Sequence, residues 1–138
     1  MKHLNFFVIY LRWVVVMKFV HTDGASEPNG HYSQGVLLGN LLLISHQLPS
    51  LNNAHDVPIE RQVDNLLSAI LSITEAAGGQ LESIAQVIFR VVDLNDWGAL
   101  NQAFSSFMGS HKPARSVIAV PQIKGGWRVS ADAISYIE

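Results

Sequence analysis

The period of apolar and polar positions changes several times along the chain, and each change predicts an element. Lys18 to Thr22 predicts a short strand, and Asp23 to Gly30, rich in Gly, Pro, Ser and Asn, predicts a loop. Two apolar runs, Val36 to Leu38 and Leu41 to Ser45, are separated only by Gly39-Asn40, which predicts a hairpin. Ser50 to Val57 is polar and predicts a loop. From Pro58 the spacing switches to steps of three and four: Ile59, Val63, Leu66, Leu67, Ile70, Leu71 and Thr74 form one face of a helix. Pro58 suits its first turn, where a missing N–H costs nothing, and Gly78-Gly79 ends it. Ile84 to Val92 is rich in β-branched residues and predicts a strand. Asn95 or Asp96 caps a second helix through Phe107, with Leu100, Phe104 and Phe107 on one face and Gly109 closing it. Ser116 to Val120 predicts a strand, Pro121 to Gly126 a turn, and Trp127 to Ile137 a long final strand.

The predicted order is β-ββ-α-β-α-ββ, an α+β domain with one mixed six-stranded sheet. Right-handed crossovers put both helices on the same face of that sheet. Yet Leu41-Leu42-Leu43-Ile44 is apolar at every position, so both sheet faces need cover. Self-association supplies it most simply, at roughly 25 cal/mol per Å² of apolar surface removed from water.

Composition narrows the classes. The 138 residues suffice for one domain with one core. Hydrophobic residues make up 49% and charged residues 14%, which excludes disorder. The net charge is −2, the pI is about 6.3, and the nine Lys and Arg form no cluster, so no nucleic-acid partner is expected. With no cysteine, thiolate chemistry and disulfides are excluded, and a cytoplasmic location is the expectation. The six histidines show no metal-binding spacing. Phe6 to Val16 is apolar but too short to span a bilayer and a poor signal peptide, so no membrane partner is expected. With Met17 directly after it, residues 1–16 read as an N-terminal extension or start-site artefact, and 17–138 as the domain.

Six short motifs then occur in order. They are Gly30-His31-Tyr32-Ser33-Gln34-Gly35, Gly39-Asn40, Ser45-His46-Gln47-Leu48-Pro49, Glu75-Ala76-Ala77-Gly78, Asp93-Leu94-Asn95-Asp96 and Lys112-Pro113-Ala114-Arg115-Ser116. Together they resemble the RidA/YjgF family of reactive-intermediate deaminases, from about Met17 to Ile137. The resemblance implies a chorismate-mutase-like fold and a homotrimer with ligand clefts between subunits. It implies hydrolysis of enamine and imine acids such as 2-aminoacrylate to a keto acid and ammonia, without metal or organic cofactor. Some members are described instead as translation inhibitors or endoribonucleases, which the acidic pI disfavours here.

The same resemblance assigns site residues. Arg115 takes the place of the arginine that holds the substrate carboxylate, Tyr32 and Ser45 line the cleft, and Asn101 lies early in the second helix. Departures are equally specific. Ser130 stands where the family has a water-positioning glutamate, Val117 where it has a cleft cysteine, His46 where it has glycine, and His31 where it has proline.

Residue chemistry supports part of this. A guanidinium offers a planar fork that matches a carboxylate and stays charged, so Arg115 suits a small carboxylate-bearing metabolite; the alternative is a structural ion pair. The alternative for Tyr32 is aromatic packing, and for Ser45 a local backbone contact. Ser130 can hold water but is a poor base, which leaves a non-catalytic carboxylate-binding module as the second reading. Asp132 shares a sheet face with Ser130 and reads as a paired interface carboxylate. Strand alternation places His46 opposite Ser45, making it a packing residue. Lys124-Gly125-Gly126 reads as a turn.

Overall fold

A computed structural model describes residues 16–138. The expectation for residues 1–16 therefore falls, apart from Val16, outside the described residues.

The elements follow the predicted order. They are β1 (Met17–Val20), β2 (Gly35–Leu38), β3 (Leu41–Gln47), α1 (Ile59–Ala76), β4 (Ile84–Val91), α2 (Trp97–Met108), β5 (Ala114–Ala119) and β6 (Val129–Tyr136). Single 3₁₀ turns at Leu81–Ser83, Leu94–Asp96 and Lys124–Gly126 tighten the connections. The six strands form one sheet in the order β1-β2-β3-β6-β4-β5. β4 and β5 run parallel across the α2 crossover, and the other pairs are antiparallel. This is the mixed sheet with two helices that the periodicity predicts.

Both helices cover one face. Val87, Phe89 and Val91 of β4, with Val129, Ala131 and Ala133 of β6, point into a core shared with Val63, Leu66, Leu67, Ile70 and Ile73 of α1 and Leu100 and Phe104 of α2. Phe89 and Phe104 meet edge to face, with centroids 5.6 Å apart. The buried face of α1 is rotated slightly from expectation: Gln62 and Ile73 are buried, whereas Leu71 is only half-buried. Gln62 is tolerated there because its side chain donates to the Val57 carbonyl at 3.0 Å and accepts from the Arg128 N–H at 3.0 Å. The start of α2 also differs. Asp96 precedes α2 but makes no capping bond, because its carboxylate grips both Nε and Nη2 of Arg128. Asp93 caps the 3₁₀ turn before it, accepting from the Asn95 N–H at 2.9 Å.

The opposite sheet face carries two continuous apolar rows. Register aligns Met17, Leu38, Leu41 and Tyr136 across β1, β2, β3 and β6, and likewise Phe19, Val36, Leu43 and Ile134. Phe19 is 75% exposed, and Leu41, Leu43 and Tyr136 are also exposed. No element covers these rows among the described residues. Contiguous exposed apolar rows are uncommon on the surface of a lone soluble domain.

Candidate functional site

Every site residue lies on or beside the sheet, and register decides which of them meet. β3 contains a β-bulge. Ile44 pairs with Ala133 and Gln47 with Ala131, so Ser45 and His46 together face the single residue Asp132. The extra residue breaks alternation. Ser45 and His46 therefore line the same cavity, correcting the expectation that they face opposite sides.

That cavity has a volume of about 520 Å³ and opens on the helix-free face. Tyr32, Ser45, His46, Arg90, Lys124 and Ser130 supply polar groups to it, together with Asn29 and Gln122. Tyr32 arrives on the loop before β2. Gln34 holds this loop in place: it is buried, its Oε1 accepts from the Thr22 N–H at 2.7 Å, and its Nε2 donates to the Thr22 and Ser26 carbonyls. Tyr32 Oη donates to Asn29 Oδ1 at 3.0 Å, which fixes the ring at the rim. Ser45 Oγ donates to the Ser33 carbonyl at 2.6 Å, tying β3 to the same loop.

Ser130 is fully buried at the cavity wall, and its Oγ has no hydrogen-bond partner. A buried hydroxyl left unpaired is costly and marks a place where a water or ligand belongs. Opposite it in register on β4 stands Arg90. Arg90 Nη1 donates to Asp132 Oδ1, and both side chains are about 30% exposed. Asp132 is thus paired, but its partner lies in its own chain and not across an interface, which corrects that part of the expectation. The sequence reading overlooked Arg90; a lone charge within the apolar run Ile84 to Val92 was the available signal. The His46 imidazole is pushed below its ordinary pKa of 6.5, first by burial and then by the Arg90 guanidinium, with Asp132 acting in the opposite sense.

Arg115, Asn101 and Val117 form a second cluster. Arg115 and Val117 sit on β5 in register with Val87 and Phe89, on the helix-covered side at the sheet edge. Arg115 Nη1 donates to Asn101 Oδ1 at 2.9 Å. Its guanidinium carbon lies 5.1 Å from the Phe104 ring centre and 5.5 Å from that of Trp97. Val117 packs against the core. Arg115 forms no ion pair among the described residues, so the alternative of a structural salt bridge within the chain is not realised. Stacking and one neutral acceptor orient the fork while leaving its charge unmatched. Within one chain, Arg115 does not line the cavity that holds Tyr32, Ser45 and Ser130.

Among the described residues, the three side chains grouped closely enough to share a metal ion are His21, Asp23 and Glu27, all exposed. His21 Nε2 and Glu27 Oε1 already pair at 2.6 Å. No helix among the described residues is long and apolar enough to cross a membrane.

Comparison with known proteins gives consistent matches. A family profile described as Endoribonuclease L-PSP matches residues 22–137. A 2-iminobutanoate/2-iminopropanoate deaminase from Escherichia coli strain K12 is 32% identical over 123 residues, which cover 86% of this chain and 96% of that protein. A RutC family protein from Pasteurella multocida strain Pm70 is 35% identical over 124 residues, covering 86% and 96%. The crystal structure of the YjgF gene product from E. coli superposes with a TM-score of 0.80 at 31% identity, covering 88% of this chain and 99% of that one. E. coli TdcF with bound serine also gives 0.80, at 27% identity and with the same coverage.

Proposed function

We propose that this chain, which belongs to the RidA/YjgF family, hydrolyses small imino and enamino acids to keto acids and ammonia. The observation that carries the reading is Arg115: a guanidinium lying over two rings, held by Asn101, with no carboxylate partner among the described residues. Such a group is pre-oriented for a substrate carboxylate.

Arg115 and the Tyr32–Ser130 cavity lie apart within one chain, so the reading requires a neighbouring copy to bring them together. The uncovered apolar rows supply the surface for that assembly, and a homotrimer is the form expected. In the joined cleft, Arg115 would hold the carboxylate, while Tyr32 and Ser45 shape the opposite wall. A water held by Ser130 Oγ, with the neutral His46 ring as proton acceptor, would add to the imine carbon. The C=N electron pair moves to nitrogen, which takes up a proton. The amino nitrogen then takes up a second proton as the new hydroxyl gives one up, the C–N bond breaks, and ammonia leaves the ketone.

A second reading has its own support. Among the described residues, no carboxylate lines the cavity. A cleft without a strong base suits a module that holds a keto or imino acid without turning it over. One assay separates the two. Freshly generated 2-iminopropanoate is supplied and ammonia release followed. Acceleration over buffer that disappears in Arg115→Ala supports the enzyme. Binding of the keto acid without acceleration supports the module, and neither effect defeats both.

A further inference from the structure

Two cationic side chains, Arg90 and Lys124, line the cavity beside Ser130. Arg90 sits on β4, an inner strand of the sheet, at a position facing the open side. A guanidinium in such a place requires compensation. Asp132 supplies it through one bond, to Nη1, which also fixes how the fork points. Nε and Nη2 of Arg90 have no partner among the described residues. Lys124, from the turn after β5, lines the same cavity and forms no ion pair among the described residues. Two cationic side chains, one of them already paired with Asp132, thus line a cavity that has no carboxylate in its wall among the described residues, next to a buried hydroxyl that lacks a partner there. A three-carbon imino acid would fill little of about 520 Å³ and would leave these donors unused.

We infer that Arg90, with Ser130 Oγ and Lys124, forms a subsite for a second carboxylate, so that the preferred ligands are dicarboxylic 2-oxo and 2-imino acids. Nε and Nη2 of the guanidinium present the edge that a carboxylate meets with two parallel bonds. Ser130 Oγ, fully buried, gains a partner by donating to the same group, which leaves its lone pairs to accept from the hydrolytic water. Lys124 adds a point charge from the turn that follows β5. Asp132 acts as a positioning residue: it orients Arg90 and stays outside the cavity wall. The inference rests on the reading above only in giving the first carboxylate to Arg115; the Arg90 subsite stands on its own geometry.

The test uses two five-carbon acids that differ at one end, 2-oxopentanoate and 2-oxoglutarate. Binding of each is measured by titration calorimetry on the full chain. The wild type is expected to bind 2-oxoglutarate at least about ten-fold more tightly, as one charge-assisted carboxylate contact provides. Arg90→Gln is expected to bring the ratio near one while keeping the 2-oxopentanoate affinity. Because that variant strands Asp132, the paired change Arg90→Gln with Asp132→Asn serves as the folded control and is expected to give the same ratio. Equal affinities in the wild type, or a preference that survives both variants, overturns the inference. Loss of both ligands in Arg115→Ala supports the underlying reading. If Arg115→Ala is silent while Arg90→Gln removes the preference, that reading fails and the subsite remains. Binding of neither acid overturns both.

Discussion

Ser45 and His46 are consecutive in β3 and yet line one cavity, because the bulge sets both against the single residue Asp132. Two residues on one side of a ladder and one on the other locally cancel the alternation of a strand. The consequence is chemical. An imidazole that regular pairing would have turned into the core stands beside Arg90 and Asp132, near the buried hydroxyl of Ser130.

That setting makes stability depend on pH. Burial and Arg90 lower the His46 pKa below 6.5, outweighing Asp132. Between the lowered value and 6.5 the unfolded chain holds more protons than the folded one, so stability rises with pH through that window and is lost as pH falls. His46→Asn is expected to flatten this part of the profile. Urea unfolding of both proteins from about pH 5 to about pH 8 measures the difference. Identical slopes would show that the ring pays no such penalty.

Arg115→Ala is expected to lower kcat/KM for an imino acid by about 10- to 100-fold, the worth of a charged hydrogen bond of about 1.5–3 kcal/mol. Arg115→Lys should recover only part of the loss, since an ammonium cannot replace a planar fork that lies against the rings of Trp97 and Phe104. Full activity in the lysine variant would remove the fork from the account.

Ser130→Ala is expected to stabilise the ligand-free protein by about 1 kcal/mol, because it deletes a buried hydroxyl that has no partner. Thermal unfolding would show this as a rise of about 3 °C. Ser130→Glu is the complementary change. It restores a carboxylate beside Arg90 and is expected to raise imine hydrolysis by at least about ten-fold. A drop in the melting temperature of Ser130→Ala would mean the hydroxyl is satisfied in solution.

Leu43 lies in the row Phe19, Val36, Leu43 and Ile134 on the uncovered face. Leu43→Glu puts a charge in the middle of that row and is expected to reduce a trimeric wild type to monomers. Light scattering after size exclusion reads the mass directly. A monomeric wild type would remove the shared cleft on which the proposed function depends.

The sequence by itself determined the order of elements, the single domain and the surplus of apolar surface. These follow from local periods: two for strands, 3.6 for α1, and glycine at Gly39 and Gly78, both with positive φ in the structure. It also determined, through its motifs, which residues to inspect. What it left undecided depends on partners far apart in the chain. Asp96 stands at the start of α2 like a cap, but tertiary packing brings Arg128 to it from 32 residues away, and the pair outcompetes the backbone N–H groups. Arg90 and Asp132, 42 residues apart, meet only because β4 and β6 are neighbours in the sheet. The bulge at Ser45-His46 likewise comes from the register between β3 and β6 rather than from either strand alone. Local pattern tells a residue which way to face along its own strand; only the assembled sheet decides what it faces.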